Sequence, residues 1–225
     1  MDELTQRPSA AVEDYAKAIY SLERRSGGEP VTTTALAERL GVTPGSASGM
    51  VRRLAELGLA THEPYRGVAL TEPGRRVALE VLRHHRLLEL LLTDLGLPWD
   101  RVHDEAEVLE HHISEELEAL IAERLGDPTH DPHGDPIPSA DLVIDEGHSV
   151  ALDALEVGTC GRFVRVSDAD PEMLRYLGER GIAPGAALEV VERQPFGGPV
   201  FARFGTETHV LGGALARAMR VEVTA

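Results

Sequence analysis

Residues 32–71, TTTALAERLGVTPGSASGMVRRLAELGLATHEPYRGVALT, set the architecture of the first third of this chain. The opening stretch keeps apolar residues at helical spacing as far as Leu40, with Thr33 and Thr34 as hydroxyl caps at its start and Gly41 in the position that ends a helix. Val42-Thr43-Pro44 then makes a tight turn, and Pro44, at or near the first helical position, opens a second helix, GSASGMVRRLAELGL, which Gly58 closes. Two short helices around a compact turn, the second carrying small residues and then arginines, are the pattern of a helix-turn-helix. Residues 59–71 alternate apolar and polar side chains in two runs separated by Pro64-Tyr65-Arg66-Gly67, which predicts a β-hairpin, or wing.

Upstream, AAVEDYAKAIYSLERR (10–25) places Val12, Ala16, Ile19, Tyr20 and Leu22 near one face of a helix that stops at Gly27-Gly28. Downstream, the stretch from Pro73 to Gly96 is apolar along one side, and Asp100 to Leu125 reads as a second long amphipathic helix. Their leucine faces exceed what one small winged domain can cover, which predicts a homodimer through this helical layer. GDPTHDPHGDPIPS (126–139) has four prolines and no period, an irregular linker. Beyond about residue 150, strand-like runs at Arg162–Val166, Ala187–Arg193 and Val200–Arg203, with a helix at about Pro171 to Glu179, predict a small SH3-like β-barrel. The expected fold is therefore mainly α, with a winged helix-turn-helix (1–73), a helical dimerisation and metal-binding domain with its Pro-rich linker (74–139) and an SH3-like, FeoA-like domain (150–225).

Composition excludes several classes. The chain has 225 residues and a formal net charge of −16, yet residues 1–76 carry 10 basic and 10 acidic side chains, so the acidity belongs to the remainder and the winged segment is free to approach DNA. The most apolar run, Leu87 to Leu97, is interrupted by Glu89 and Asp94, and falls short of the roughly 18 residues of a membrane helix. The start, MDELTQRPS, lacks the basic and apolar regions of a secretory signal. Cys160 is the single cysteine and reads as a small apolar residue, so neither a disulfide framework nor a Cys-rich metal site is available, and a cytoplasmic location is expected. No nucleophile elbow, phosphate loop, dinucleotide fingerprint or HExxH arrangement is present, so the chain is not expected to be an enzyme.

Eight of the ten histidines fall between His84 and His148. On the second long helix His103, Glu107, Glu110 and His111 stand at i, i+4, i+7 and i+8, within a sector of roughly 100°, and His85 and Glu89 form an i, i+4 pair on the preceding helix. Imidazoles and carboxylates on facing helices suit one or two cations. His112, His130, His133 and His148 are read as surface or linker residues.

The combination of AVEDYAKAIYSLE, the winged segment, HHRLLELLL, VHDEAEVLEHHIS and DPHGDPIP closely resembles the diphtheria-toxin-repressor family of metal-dependent transcriptional regulators, over nearly the whole chain. The resemblance implies a dimer that binds double-stranded operator DNA when a divalent cation is bound. It implies a primary metal site of Asp14, Glu107, Glu110 and His111, and an ancillary site of His85, Glu89 and His103 completed by an acidic residue of the SH3-like domain, with Asp170 and Glu172 as candidates. Where iron-responsive members carry Met and Cys, this chain has Asp14 and Glu107; such hard oxygen ligands imply Mn²⁺, with Fe²⁺ as the alternative. Lys17 departs from the manganese regulators that lack the SH3-like domain, which have a second acidic ligand there, so the separated two-site arrangement is expected.

For DNA, Thr43, Pro44, Gly45, Ser46 and Ser48 form a small surface that approaches first, with Thr33 on the preceding helix, Arg52 and Arg53 farther along, and Arg66 at the wing tip. Few long base-reading side chains are present, so phosphate contacts and DNA shape are expected to supply much of the specificity. A metal-binding scaffold with no DNA function would explain the acidic helices but leave the winged segment idle.

Overall fold

A computed structural model describes residues 7–63 and 66–224. Pro64 and Tyr65 of the expected wing tip lie outside the described residues. The chain divides into two compact units, one made of residues up to His84 with Glu110–Ile113 and Pro138–Val143, the other of His85–Leu109, Ser114–Ile137 and Ile144 onward.

In the first unit, α1 (Ala10–Arg25), α2 (Thr33–Leu40) and α3 (Pro44–Glu56) precede a two-stranded antiparallel hairpin, β1 (Ala60–Glu63) and β2 (Gly67–Leu70). Ile19, Leu36, Ala47, Val51, Leu54 and Val68 are all fully buried, so one apolar stripe from each helix meets the inner face of the hairpin. Thr32, rather than Thr33 or Thr34, caps α2, its hydroxyl accepting from the Ala35 amide at 3.1 Å. With Thr33 inside the first turn, only the residue before it has the extended backbone an N-cap needs. Thr43 caps α3 in the same way, with Pro44 behind it. These elements form the expected winged helix-turn-helix.

Helix α4 (Glu72–Asp94) contributes residues to both units. The single long helix expected from Asp100 to Leu125 is instead two, α5 (Val102–Leu109) and α6 (Glu115–Arg124). The break has a local cause: Ser114 is an N-cap, accepting from the Leu117 amide at 3.2 Å, and Glu115, Glu116 and Glu118 fill the first turn of α6, where negative charge favours a helix start. Residues 110–113 are therefore non-helical, and His111 takes its place from a turn, not from a helical face.

The carboxyl-terminal part holds a six-stranded antiparallel sheet in the order β3 (Val150–Ala151), β8 (Met219–Val223), β4 (Cys160–Val166), β5 (Ala187–Arg193), β6 (Val200–Phe204), β7 (Glu207–Leu211). Helices α7 (Pro171–Gly178) and α8 (Gly213–Ala218) complete it, and Phe163, Leu174, Leu177, Leu211 and Met219 form its core. With this sheet the chain is a mixed α and β protein rather than a mainly α one; β3, β7, α8 and β8 are elements that periodicity does not mark. The Pro-rich stretch is irregular but anchored: the Val166 amide donates to His133 O at 3.0 Å, and Asp131 Oδ1 accepts from the amides of His133 and Asp135 at 2.8 and 2.9 Å. Cys160 is exposed at the start of β4. Among the described residues no helix is long and apolar enough to cross a membrane.

Candidate metal centre

Within the first unit the structure brings Asp14, Glu110 and His111 together, each offering one ligand atom within 4.8 Å of the others. Asp14 comes from α1, while Glu110 and His111 come from the turn after α5. The imidazole of His111 is clamped by two consecutive acids of α1: Nδ1 donates to Glu13 Oε2 at 2.6 Å, and Nε2 lies 2.9 Å from Asp14 Oδ1 and 3.5 Å from Glu110 Oε1. With Nδ1 committed to Glu13, Nε2 is the nitrogen turned toward the carboxylates, the arrangement in which an outer carboxylate orients a ligating histidine.

Glu13 itself is buried and held by Arg7 Nε at 2.8 Å, and Arg7 also donates to the carbonyls of Ile113 and Glu110 at 2.8 and 3.0 Å. Neither Arg7 nor Glu13 was singled out from sequence. The signal for Glu13 was its adjacency to Asp14, which helical spacing turns about 100° aside and only the turn at 110–113 brings back into use. Lys17 Nζ donates to the fully buried Glu110 Oε1 at 2.5 Å, so positive charge occupies this side of the cluster in place of a second acid.

In the second unit His85, Glu89, His103 and Asp168 form another cluster. Glu89 Oε1 accepts from His85 Nε2 at 3.0 Å and lies 3.4 Å from His103 Nδ1, and the same His103 nitrogen lies 3.1 Å from Asp168 Oδ2. The acidic residue of the carboxyl-terminal domain is thus Asp168, and Asp170 and Glu172 are not in the cluster. Asp170 is the N-cap of α7, its Oδ1 accepting from the Glu172 amide at 3.0 Å, and Glu172 is an exposed first-turn residue of that helix. Glu107, which the resemblance groups with Asp14, belongs to this unit, its Oε1 3.8 Å from both His85 Nδ1 and His103 Nε2. His112 is exposed, whereas His133 is fully buried, contrary to its reading as a linker residue.

Both clusters fit a divalent cation by donor type: carboxylate oxygens and imidazole nitrogens, with no thiolate or thioether among them. The second cluster is charged in a way that couples it to pH. The hydrogen bond to Asp168, with a further one to Glu89, raises His103 to about 10 against the opposing effect of burial. Burial works to raise Asp168, but the hydrogen bond from His103 and its charge win and bring it down to about 2. Glu89 is likewise held well below the usual carboxylate range, burial notwithstanding, by His85, His103 and His133.

In protein stripped of metal, the His103 contribution to stability is complete below its unfolded value near 6.5 and is lost as pH climbs toward 10. The Asp168 contribution is complete above 3.8 and is lost as pH falls toward 2. A cation needs neutral imidazole, so its entry must displace the His103 proton. Affinity at this cluster is expected to rise about tenfold per pH unit between roughly 6.5 and 9, with close to one proton released per ion at pH 7.5. Calorimetric titration in two buffers of different ionisation enthalpy measures that release, and His103→Gln should lower it. Equal heats in both buffers would contradict the pairing described.

On the winged domain the residues proposed for DNA are accessible. Gly41 to Ser46 are exposed, and Ser48 is half-buried and donates to Pro44 O at 2.9 Å. Thr43 and Ser46 hydroxyls share a hydrogen bond at 2.9 Å, and Arg52 Nε donates to Ser48 O at 3.3 Å. Arg53 and Arg66 make exposed pairs with Glu56 at 3.5 Å and Glu63 at 3.1 Å, weak enough to exchange for phosphate.

Residues 8–68 match the family described as iron dependent repressor, N-terminal DNA binding domain; residues 71–139 match iron dependent repressor, metal binding and dimerisation domain; and residues 150–223 match the FeoA domain. The chain is 34% identical over 223 residues to the iron-dependent repressor IdeR of Mycobacterium tuberculosis, covering 93% of this chain and 96% of that protein. It is 40% identical over 173 residues to the diphtheria toxin repressor of Corynebacterium jeikeium, covering 73% and 71%. Among solved structures, a manganese-dependent transcriptional repressor in complex with manganese is similar at a TM-score of 0.86 and 42% identity, covering 95% of this chain and all of that one. The manganese regulator SloR is similar at 0.77 and 29%, covering 95% and 98%.

Proposed function

Because the chain belongs to the diphtheria-toxin-repressor and iron-dependent-repressor family of metal-dependent transcriptional repressors, which are not enzymes, we propose that its activating cation is Mn²⁺ and that Asp14, Glu110 and His111 are the ligands through which activation works. The observation that carries the reading is the donor set: two hard carboxylates, which suit Mn²⁺ better than a softer or later metal, beside one imidazole oriented by Glu13. His85, Glu89, His103 and Asp168 are the ancillary set, and Glu107, beside two of those histidines, is a further ligand of either cation.

A bound cation supplies the positive charge that turns mutual repulsion among these carboxylates into attraction. The residues do the rest. Asp14 rides on α1, which packs against the helix-turn-helix, and Glu110 and His111 belong to the turn after α5, so drawing them together pins that turn to the DNA-binding fold. Operator affinity then follows from tighter metal binding in the DNA-competent state than in others. The exposed start of α3 (Thr43, Pro44, Gly45, Ser46, Ser48) enters the major groove, while Thr33, Arg52, Arg53 and Arg66 serve phosphates.

The active form is a cytoplasmic homodimer through residues 74–139, where Leu95, Val108, Leu109, Leu117 and Leu120 expose apolar surface. Domain roles follow the divisions 1–73, 74–139 and 150–225.

The test is fluorescence anisotropy on a labelled promoter fragment across Mn²⁺, Fe²⁺, Co²⁺ and Ni²⁺ under anaerobic conditions. Mn²⁺ should activate at the lowest free concentration, and Glu107→Cys should shift the ranking toward the later metals. A parent protein activated best by Fe²⁺ would replace manganese with iron in this reading. DNA binding indifferent to every metal would remove it.

A further inference from the structure

Glu89 uses only one of its two oxygens on the histidines already described. On its other side stand Asp131 and His133, from the DPHGDPIP stretch, and one ligand atom from each of the three residues lies within 4.8 Å of the others. Both Glu89 and His133 have no exposed surface, and Asp131 is buried. Glu89 Oε2 and His133 Nδ1 have no hydrogen-bond partner among the described residues and face each other at 3.7 Å.

The tautomer of His133 follows from its other nitrogen. Nε2 lies 2.7 Å from the carbonyl oxygen of Trp99, and a carbonyl can only accept, so Nε2 carries the proton. The Nδ1 lone pair is left directed at a carboxylate oxygen, across a gap longer than the 2.7–3.2 Å of an ordinary N–H···O bond. That gap is close to the span of two metal–ligand bonds of about 2.1–2.2 Å opening at about 120°. In Asp131, Oδ1 is committed to the amides of His133 and Asp135, and Oδ2 makes only a long ion pair, to Arg86 Nε at 3.7 Å, which an ion would have to compete with. A carbonyl-anchored imidazole and two buried carboxylates whose remaining atoms converge are a ligand set.

We propose that Glu89, Asp131 and His133 form a further divalent-cation site, with Glu89 bridging two ions: Oε1 serves the one held by His85 and His103, and Oε2 the one held by His133 and Asp131. The bridging role rests on the ancillary set proposed above; the site itself rests on its own three residues. Its consequence is mechanical. Because His133 O accepts from the Val166 amide, an ion here fastens the Pro-rich stretch between α4 and strand β4. The competing way to relieve the two facing lone pairs is a second proton on Nδ1, and the surroundings do raise His133 to about 9: burial opposes protonation, and Glu89 overcomes it.

Counting ions distinguishes the two. The full chain, stripped of metal, is titrated with Mn²⁺ at pH 8 and read by native mass spectrometry and elemental analysis. The parent should saturate at three Mn²⁺ per chain. His133→Gln should hold two, and so should Asp131→Asn, which keeps the two turn hydrogen bonds through Oδ1 and replaces only Oδ2 with a non-ligating amide nitrogen. Saturation of the parent at two, or an unchanged count in both folded variants, overturns the proposal and assigns the gap to a proton. If the variants fail to fold, the parent count alone decides. A parent that binds no Mn²⁺ defeats the manganese reading as well, whereas two ions with metal-dependent DNA binding leave that reading standing and remove only this one.

Discussion

Glu110→Ala abolishes the metal-dependent gain in operator affinity, with apparent metal affinity at the activating site falling more than about 100-fold: this is the largest functional effect we expect from one substitution. Removing an outer-shell partner of a metal ligand already costs 10–100-fold, and Glu110 is proposed as a ligand. Its carboxylate is fully buried, and it is one of the three described residues whose ligand atoms converge in its cluster, so its loss takes away one of the two carboxylates there. Lys17→Gln supplies the opposite arm. The Lys17 ammonium donates to Glu110 at 2.5 Å and repels any cation that approaches the same carboxylate. Its loss should tighten metal binding by about tenfold, a shift within reach of a charge a few ångströms away at effective protein dielectric. Anisotropy on a labelled operator fragment, titrated with Mn²⁺ from micromolar to millimolar, reads both. A parent-like curve for folded Glu110→Ala would move activation away from this cluster.

The largest effect on stability is expected at Gly134. Its φ is +86°, and a Cβ there would lie 1.8 Å from Val164 O and 2.9 Å from Val164 C, both backbone atoms of β4 that cannot turn aside. Gly134→Ala must therefore pull the Pro-rich stretch off the strand, at a cost of at least about 3 kcal/mol and a loss of roughly 6–12 °C in Tm. Gly147→Ala is the control. Gly147 also has positive φ, +59°, but nothing lies within 4 Å of the added methyl, so only the backbone preference is lost, about 1 kcal/mol. Thermal unfolding by circular dichroism compares the two. Equal costs would mean that the close approach of residue 134 to β4 is not what requires glycine.

Much of the architecture was legible because its signals are local. The apolar stripe of α1, the Thr43-Pro44 start of α3, Gly41 after α2 and the alternation around the wing are each decided by a few neighbouring residues, and each appears in the structure within a residue or two of its expected place. The break between α5 and α6 was equally local, in Ser114 followed by three glutamates, but the apolar period running through it masked the cap.

The winged helix-turn-helix, the chemical type of the candidate metal ligands and the pooling of histidine and carboxylate between residues 84 and 148 were all readable along the chain. Which of those side chains meet was decided by tertiary structure. Asp168 was chosen over Asp170 because Asp170 spends its carboxylate on capping α7. Glu13 orients His111 only because a turn, not a helix, carries His111 to α1. His133 changed from a linker residue to a buried one when Gly134 let its segment close on β4. The physical reason is the same in each case: a ligand set is a meeting of atoms from segments far apart in the chain, and spacing along one helix constrains only the residues of that helix.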